Sequence, residues 1–379
     1  MMPQRRQTTA SAVAPAPPIL PDVAIVLGTR PEWIKLAPLL TRLGSRAMVV
    51  STGQHWDAAM DRSVLDGRPV GPTVPSCNIG GLTRAAGLAT AIGRLEVLLS
   101  DAPVRAVVVQ GDTTSALAGA LAANAQDLPL VHVEAGLRSF DRRMPEEHNR
   151  VVIDHLADLN CCPNSRNEAQ LLGEGICAER LAVTGNTVVE SVTTMLPAAA
   201  DRAALLEELC LSPRTYILAT LHRPENVDDR VVLTQLLSEL SSLSLPVVLP
   251  LHPRTAARIR EHRLSEMLHP LHVTEPLSYP TFLTLFHAAA LVISDSGGVQ
   301  EEASVLKRPV LVVRRSTERP EIEGVFGALV DPRNGLSRAA TTWLSPTKQQ
   351  GLAALPTPYG GRDAGARVLS ALEGLLQRT

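Results

Sequence analysis

The sequence contains few cysteines, and their spacing excludes the commonest cysteine-based sites. Cys77, Cys161, Cys162, Cys177 and Cys210 are odd in number, and none forms the C-x-x-C pair of a zinc or redox site. We therefore interpret all five as free thiols in a reducing compartment.

The chain also lacks long apolar runs and a marked excess of either charge. No stretch approaches the roughly 20 uninterrupted apolar residues that cross a bilayer as a helix. Residues 1–21 include Arg5, Arg6 and five prolines but no apolar core of a signal peptide, so we predict a disordered leader. The formal net charge of -2 gives no general attraction to nucleic acid or membrane. These absences predict a cytoplasmic protein.

The hydrophobic pattern predicts an α/β fold in two parts. A length of 379 residues suits two domains of about 100 to 200 residues each. Short apolar runs alternate with helical patterns, as in parallel sheets built from β-α-β units. The predicted strands are 23–27, 48–51, 106–110, 130–133, 181–183, 216–220, 246–251, 291–294 and 310–313.

We therefore predict two Rossmann-like, doubly wound domains that face a central cleft, over residues 22–190 and 191–360. A periodic segment follows a stretch rich in proline and glycine, and we interpret residues 361–379 as a helix that packs back on the first domain. Ligands of such folds bind where the carboxyl ends of the strands open into the crevice. Residues that follow strands are the candidates for function.

The first such segment is a glycine turn that leads into a helix carrying Arg30 and Lys35. Backbone N–H groups at a helix start and an adjacent guanidinium favour phosphate oxygens. The alternative is an ordinary turn with a surface arginine. Only three of the 36 basic residues are lysines, so a lysine at position 35 is a further, weak indication of function.

Carboxylates follow the next strands of the first domain. Asp112 ends one strand, with helix capping as the alternative role. Glu134 directly follows an apolar strand, where an unpaired carboxylate is costly to bury. Glu146 and Glu147 open a helix, where acidic residues also complement the helix dipole. Convergence of Asp112, Glu134 and Glu146 on one crevice would suit proton exchange with carbon near neutral pH.

The second domain offers groups that bind anions. Two His/Arg pairs, around His222 and Arg254, follow successive strands, and their repetition favours anion binding over a structural histidine. A Ser-Gly-Gly turn from Ser296 to Gly298 exposes N–H groups at a helix start, which suits a diphosphate.

Two further side chains extend this site. Glu302 lies on the helix after the Ser-Gly-Gly turn, from which it can reach ribose hydroxyls, and Arg319 follows the next strand. The segment His132-x-Glu134 lacks the histidine pair of H-E-x-x-H, and the phosphate motifs Walker A and G-x-G-x-x-G are absent. We therefore expect neither a catalytic metal nor a single phosphate-binding loop.

Taken together, these motifs resemble the non-hydrolysing UDP-N-acetylglucosamine 2-epimerases. The shared motifs, in order over residues 23–330, are GTRPEWIK, GDTT, HVEAGLRS, MPEEHNR, TGNTV, HRPEN, HPR, DSGGVQEEA and TERPE. The resemblance implies a pair of Rossmann-like domains of the kind shared with GT-B glycosyltransferases. It also implies a UDP-sugar substrate, no cofactor or metal, and a homodimer.

By this resemblance, Asp112, Glu134 and Glu146 are the catalytic carboxylates, and Lys35 and His222 lie at or near the active site. The residues expected to bind UDP and the substrate are Arg30, Lys35, His222, Arg254, Ser296, Gly297, Gly298, Glu302 and Arg319. The implied reaction removes the C2 proton and expels UDP to give 2-acetamidoglucal, after which the proton and UDP return with C2 inverted.

The sequence departs from the family where many members bind a second substrate molecule as an effector. Gln54 and His55 are present, but Trp56 follows, and residues 78–81 read Asn-Ile-Gly-Gly without Gln or Arg. We therefore do not expect activation by substrate. Trp33 stands where a small residue is usual. The alternatives are a hydrolysing 2-epimerase that releases N-acetylmannosamine, a GT-B glycosyltransferase, and a nucleotide-sugar-binding protein without activity.

Overall fold

The structure is a computed structural model that describes residues 21–54, 73–74, 77–333 and 335–378. All but the last residue of the predicted leader lies outside the described residues, and so do His55 and Trp56 of the departing motif. The first half forms a seven-stranded parallel sheet in the order β3-β2-β1-β4-β5-β6-β7. Its strands are β1 Val23–Leu27, β2 Ala47–Ser51, β3 Thr73–Val74, β4 Ala106–Gln110, β5 Leu130–Val133, β6 Leu159–Cys162 and β7 Leu181–Val183.

The second half forms a six-stranded parallel sheet in the order β10-β9-β8-β11-β12-β13. Its strands are β8 Ile217–Thr220, β9 Val247–Pro250, β10 His272–Thr274, β11 Leu291–Ser294, β12 Val310–Val313 and β13 Gly327–Val330. In each sheet the strand order reverses beside the first strand, which is where doubly wound folds bind ligands. The predicted class of two Rossmann-like domains facing a cleft is confirmed.

Helices connect the parallel strands in both halves. Several begin at a residue whose side chain accepts a backbone N–H group, among them Thr113, Asn164 and Asp229. The α-helices are Arg30–Leu43, Arg84–Ser100, Thr114–Ala125, Pro145–Leu156, Ser165–Gly173, Thr187–Met195, Ala199–Glu208, Pro224–Val227, Arg230–Ser241, Pro253–Glu261, Tyr279–Ala288, Gly297–Leu306, Leu336–Trp343, Pro346–Gln350 and Ala364–Leu376.

The last helix, Ala364–Leu376, packs against the first helix, Arg30–Leu43. Its apolar face buries Val368 and Leu372 in the same core as the first sheet. The guanidinium of Arg105 donates to the carbonyl of Leu376 at 2.6 Å. The end of the chain is thus held by the half of the molecule that begins it.

The hydrophobic pattern of the sequence does not predict four of the strands, namely β3, β6, β10 and β13. β10 is short, lies at a sheet edge and is largely exposed, so it needs no apolar run. Residues 186–215, which connect the two sheets, contain two helices that are separated around Pro197, because proline cannot continue a helix.

Candidate active site

The centre of the site is a ring of four alternating charges contributed by both halves. Lys35 and Glu134 come from the first half, and Glu301 and Arg319 come from the second. Lys35 Nζ contacts Glu134 and lies 2.8 Å from Glu301 Oε2. Arg319 Nη2 lies 2.8 Å from Glu134 Oε1, and its Nε lies 2.6 Å from Glu301 Oε1. Each carboxylate therefore contacts both cations.

All four side chains of the ring are buried, which makes their pairing obligatory. Burial favours neutral Lys35, but Glu134 and Glu301 outweigh it and raise the lysine pKa. Burial also raises the pKa of Glu134, and Glu301 raises it further, against the effect of Lys35 and Arg319. A carboxylate with a raised pKa beside fixed cations is suited to exchange a proton with carbon.

Glu134 is held in an unusual backbone conformation. Its φ of 74° lies in the left-handed region, which costs about 1–3 kcal/mol for a residue other than glycine. Gln110, the last residue of β4, donates to Glu134 Oε2 at 2.8 Å. A strained backbone and a fully partnered carboxylate together indicate a functional side chain rather than a surface acid.

Arg319 approaches the start of the helix Gly297–Leu306 so closely that a side chain at Gly297 would have to displace it. A Cβ atom at Gly297 would lie 2.7 Å from Arg319 Nη1 and 2.8 Å from Glu318 Oε1. Burial opposes the charge of Arg319, but Glu301, Glu318 and Glu134 hold its pKa well above the usual value. The guanidinium is therefore a permanent cation beside the free N–H groups of a helix start.

The Ser-Gly-Gly turn supplies this helix start. The N–H group of Ser296 donates to Ser294 Oγ at 3.0 Å, and Gly297 and Gly298 form the first positions of the helix. N–H groups in a first turn have no acceptor within their own helix. The turn and Arg319 together offer an anion site.

Asp112 does not cap the helix behind it. Thr113 is the capping residue, and its side chain accepts from Ala116 N–H at 3.0 Å. The carboxylate of Asp112 instead pairs with Arg150, whose Nε lies 3.1 Å from Asp112 Oδ2. Asn149 also donates to the carbonyl of Asp112, at 2.8 Å. The alternative role of Asp112 as a helix cap is therefore excluded, because Thr113 caps the helix and the Asp112 carboxylate pairs with Arg150.

The two first-turn glutamates of that helix, Pro145–Leu156, have different surroundings. Glu147 is buried, pairs with Arg150, and accepts from the N–H groups of Ser139 and Phe140. Glu146 is partly exposed and has no ion pair or side-chain hydrogen bond within the described part of the chain. Glu147 thus has the structural role, and Glu146 is the carboxylate available to a ligand.

A second group of residues forms around Arg30. Its guanidinium donates to Leu277 O at 2.9 Å and lies 6.0 Å from the ring centroid of Tyr279. The hydroxyl of Tyr279 donates to Glu302 Oε1 at 2.7 Å. Glu302 Oε2 is buried without a hydrogen-bond partner in the described residues, and burial raises the pKa of Glu302 to about 7. An unpaired, buried carboxylate oxygen is ready to accept from a ligand hydroxyl.

His222 is oriented by Asp295, which directly follows β11. Nδ1 of His222 lies 2.9 Å from Asp295 Oδ1, and the same carboxylate accepts from the N–H groups of His222 and Arg223. Burial alone would raise the pKa of Asp295, but His222 and the backbone N–H of Arg223 outweigh burial and lower it. The side chain of His222 remains 38% exposed, so Nε2 can reach a ligand.

Arg254 is separate from these groups. Its Nη2 lies 2.6 Å from Asp228 Oδ2, which also pairs with Arg258. Its neighbour in the motif, His252, is closer to the site, because the rings of His222 and His252 are 5.3 Å apart. The arginine of the second His/Arg pair thus has its own carboxylate partner, and its assignment to UDP binding stays a prediction.

Glu32 joins the Arg30 turn to the Asp112 turn. Its Oε2 accepts from the N–H groups of Gly28 at 2.9 Å and Thr29 at 2.7 Å. Its Oε1 accepts from the hydroxyl of Thr113 at 2.7 Å. Burial raises the pKa of Glu32 to about 7 against these hydrogen bonds.

This burial predicts how stability depends on pH. Between the ordinary glutamate pKa of 4.5 and about 7, native Glu32 keeps a proton that the unfolded chain has lost. The free energy of unfolding should therefore fall as pH rises through this window. In Glu32→Gln the carbonyl accepts from Gly28 and Thr29 and the amide donates to Thr113, so this contribution disappears. Relative to the wild type, the variant should gain up to about 3 kcal/mol between pH 5 and pH 8.

Urea unfolding at the two pH values measures this difference. Glu190→Gln is the matched control, since Glu190 pairs with Arg42 away from the cleft. Glu302 contributes with the same sign, so some decline should remain in Glu32→Gln. An undiminished decline in Glu32→Gln would contradict the assignment to Glu32.

For several residues of the site, no sequence motif predicts the contacts that they make. Glu301 stands beside the predicted Glu302 but points to the ring, and Gln110 ends an apolar strand as its only polar residue. Within residues 21–54, 73–74, 77–333 and 335–378, no group of three or more His, Cys, Asp or Glu side chains could hold a metal ion. Among the helices so described, none is long and apolar enough to cross a membrane.

Known proteins resemble this chain over most of its length. The family model described as UDP-N-acetylglucosamine 2-epimerase matches residues 41–373. The UDP-N-acetylglucosamine 2-epimerase of Methanococcus maripaludis is 36% identical over 329 residues, which cover 83% of this chain and 90% of that protein. The UDP-2,3-diacetamido-2,3-dideoxy-D-glucuronate 2-epimerase of Pseudomonas aeruginosa is 34% identical over 365 residues, covering 93% of this chain and 99% of that protein.

A solved structure matches the fold as well. The crystal structure of Methanocaldococcus jannaschii UDP-GlcNAc 2-epimerase, in complex with UDP-GlcNAc and UDP, superposes with a TM-score of 0.84 at 34% identity. The superposition covers 93% of this chain and 99% of that one.

Proposed function

The chain belongs to the UDP-N-acetylglucosamine 2-epimerase family, and from this premise we propose that it interconverts UDP-N-acetylglucosamine and UDP-N-acetylmannosamine without net hydrolysis. The observation that carries the proposal is the contact of Glu134 with both Lys35 and Arg319. A proton-accepting carboxylate then lies beside the cations that stabilise an anionic leaving group. C2 deprotonation and loss of UDP need these two functions side by side.

The reaction proceeds by elimination and re-addition. A carboxylate of the set Asp112, Glu134 and Glu146 takes the C2 proton, and the C–H electron pair forms the C1–C2 double bond as the C1–O bond breaks. UDP leaves with the electron pair of the C1–O bond, and 2-acetamidoglucal remains. A proton then returns to the opposite face of C2, and UDP adds again at C1. This scheme needs general acid and base groups on both faces of the sugar.

The UDP moiety is assigned to the second half and the facing turn. Arg30, Arg319 and the N–H groups of the Ser296–Gly298 turn stabilise the charge that develops on the diphosphate. Nε2 of His222 faces the same oxygens, because Asp295 holds the ring through Nδ1, and it donates to them when the ring carries a proton on both nitrogens. The free oxygen of Glu302 accepts from a ribose hydroxyl.

Enclosure of the reaction is supported by contacts between the halves. Lys35 with Glu301, and Glu134 with Arg319, are ion pairs that join the two sheets across the cleft. Closure keeps the glucal from escaping while UDP is detached. The Pseudomonas aeruginosa relative carries a different UDP-sugar in its name, so substituents at C3 and C6 of the sugar are part of the test.

Incubation with UDP-N-acetylglucosamine in deuterated water tests the function. Proton NMR should show deuterium at C2 together with UDP-N-acetylmannosamine, while free sugar stays absent. The diacetamido-glucuronate analogue should react more slowly. Free N-acetylmannosamine with UDP would identify a hydrolysing enzyme instead, and the absence of C2 exchange with either sugar would contradict epimerisation.

A further inference from the structure

A fully buried histidine lies beneath the three carboxylates and takes no part in the scheme above. His132 is the third residue of β5, two positions before Glu134. Its Nδ1 lies 2.7 Å from Asp154 Oδ1, and its Nε2 lies 2.9 Å from the carbonyl oxygen of Gly111. Both partners are acceptors. Each ring nitrogen must therefore carry a proton to make both hydrogen bonds, which is the imidazolium form.

The charges around the ring balance only in that form. Arg138 Nη1 lies 2.6 Å from Asp154 Oδ2, and its Nη2 lies 2.7 Å from Glu174 Oε2. With His132 charged, these four groups carry no net charge, whereas a neutral ring would leave one negative charge in excess on the group that includes the buried Asp154. Glu174, at the other end, is partly exposed and also lies 3.4 Å from Nε2 of His155. Burial alone would raise the pKa of Asp154, but His132 and Arg138 outweigh burial and lower it.

The other elements around the ring contribute no competing charge. The helix Thr114–Ala125 has no charged residue, and β4 and β6 face His132 with Val109 and Asn160. Burial raises the pKa of the nearby Cys162 thiol, which keeps it neutral. Asp154 is the only carboxylate that contacts the ring within the described part of the chain.

The imidazole ring of His132 connects the segments that carry all three carboxylates. Its Nε2–H donates to the carbonyl oxygen of Gly111, the residue before Asp112. Its partner Asp154 lies on the same helix as Glu146. Asp154 also accepts from Gly136 N–H, at 3.3 Å, in the turn after Glu134. One charged ring thus fixes the separations of these segments.

We propose that His132 is a buried imidazolium and a positioning residue, which sets the spacing of Asp112, Glu134 and Glu146 for proton transfer at C2. The role rests on the proposed function, but the charge of the ring does not. A misplacement of about 1 Å at reacting groups can lower a rate about 100-fold, which is the effect expected when this ring is lost.

Nitrogen NMR of the full chain, labelled with 15N-histidine, tests the charge. The chain has ten histidines, and the 15N shifts of His132 should be those of a ring protonated at both nitrogens. His132→Gln assigns the signal by its disappearance. In Asp154→Asn, whose amide carries no negative charge, the ring should be neutral. A neutral His132 in the wild type would overturn the proposal.

Kinetics with UDP-N-acetylglucosamine test the positioning. In His132→Gln, kcat should fall about 100-fold while the Kd for UDP stays within about twofold, since UDP binds mainly to the second half. His287→Gln, a half-buried histidine of the second half, is the control. Loss of UDP binding in step with kcat would reduce His132 to a merely structural residue.

Two further outcomes are decisive. If His132→Gln fails to fold, Asp154→Asn carries both measurements, because its amide keeps an acceptor for the ring. A wild type without C2 exchange would overturn the proposed function and the positioning role together. The 15N spectrum would still decide the charge of the ring, so the two failures are distinguishable.

Discussion

Replacing Glu134 by glutamine should lower the rate of C2 hydrogen–deuterium exchange by about 10³-fold, within the range that general base catalysis supplies. The amide cannot take the C2 proton. Its carbonyl can still accept from Lys35, and both cations keep Glu301 as a partner. UDP should therefore bind as tightly as in the wild type, or more tightly, because Arg319 loses a competing carboxylate. Single-turnover exchange measured by NMR and titration calorimetry with UDP give the two quantities.

Glu190→Gln is the control for this substitution. It makes the same chemical change at a carboxylate that pairs with Arg42 and accepts from Gly365 N–H outside the cleft. Its exchange rate should match the wild type. A Glu134→Gln variant that exchanges at the normal rate would remove Glu134 from the chemistry and leave Asp112 and Glu146 as the remaining bases.

Of the substitutions proposed for this chain, Arg319→Met should lower the free energy of unfolding the most. The guanidinium pairs with Glu134, Glu301 and Glu318, all buried, and its removal leaves buried carboxylates undercompensated. Breaking a buried ion pair from one side costs about 3–5 kcal/mol. Affinity for UDP should fall as well, since Arg319 lies beside the Ser-Gly-Gly turn. Chemical denaturation and calorimetry measure both losses.

The stability loss should depend on pH with a definite sign. Despite burial, Arg319 and other cations hold the pKa values of Glu301 and Glu318 below the ordinary 4.5. A carboxylate whose pKa is lower in the folded protein than in the unfolded chain adds to the free energy of unfolding. This contribution is complete above the pKa of the unfolded chain and is lost as the pH falls through the pKa of the folded protein. The difference in the free energy of unfolding between Arg319→Met and the wild type should thus be largest near pH 7 and should decrease below about pH 4.5.

Arg46→Met is the matched control for Arg319→Met. Arg46 also pairs with two carboxylates, Asp22 and Glu373, but these groups are partly exposed. Exposed pairs contribute about 0–1 kcal/mol, so the control should unfold close to the wild type. Equal losses in the two variants would contradict a buried network centred on Arg319.

The positions of the candidate residues along the chain were predictable, because a strand end is a local feature. An apolar run followed by a polar residue identifies Glu134 directly after β5 without any knowledge of contacts, and Arg319 lies in the segment that follows β12. The alternatives were harder to decide. Asp112 and Thr113 both suit the start of a helix. Only the contact of Asp112 with Arg150, which lies on another helix, shows that Thr113 is the capping residue.

The sequence by itself determined the class of the fold and the segments that face the cleft, since periodicity and turn residues act over a few positions. Tertiary structure alone decided the partners. Glu134 meets Lys35 across 99 residues of sequence and Arg319 across 185. No local sequence pattern predicts pairs so far apart in the chain, because a charged side chain depends on an oppositely charged one only when burial has removed water as its alternative partner. The same burial makes Glu301 part of the ring of four charges.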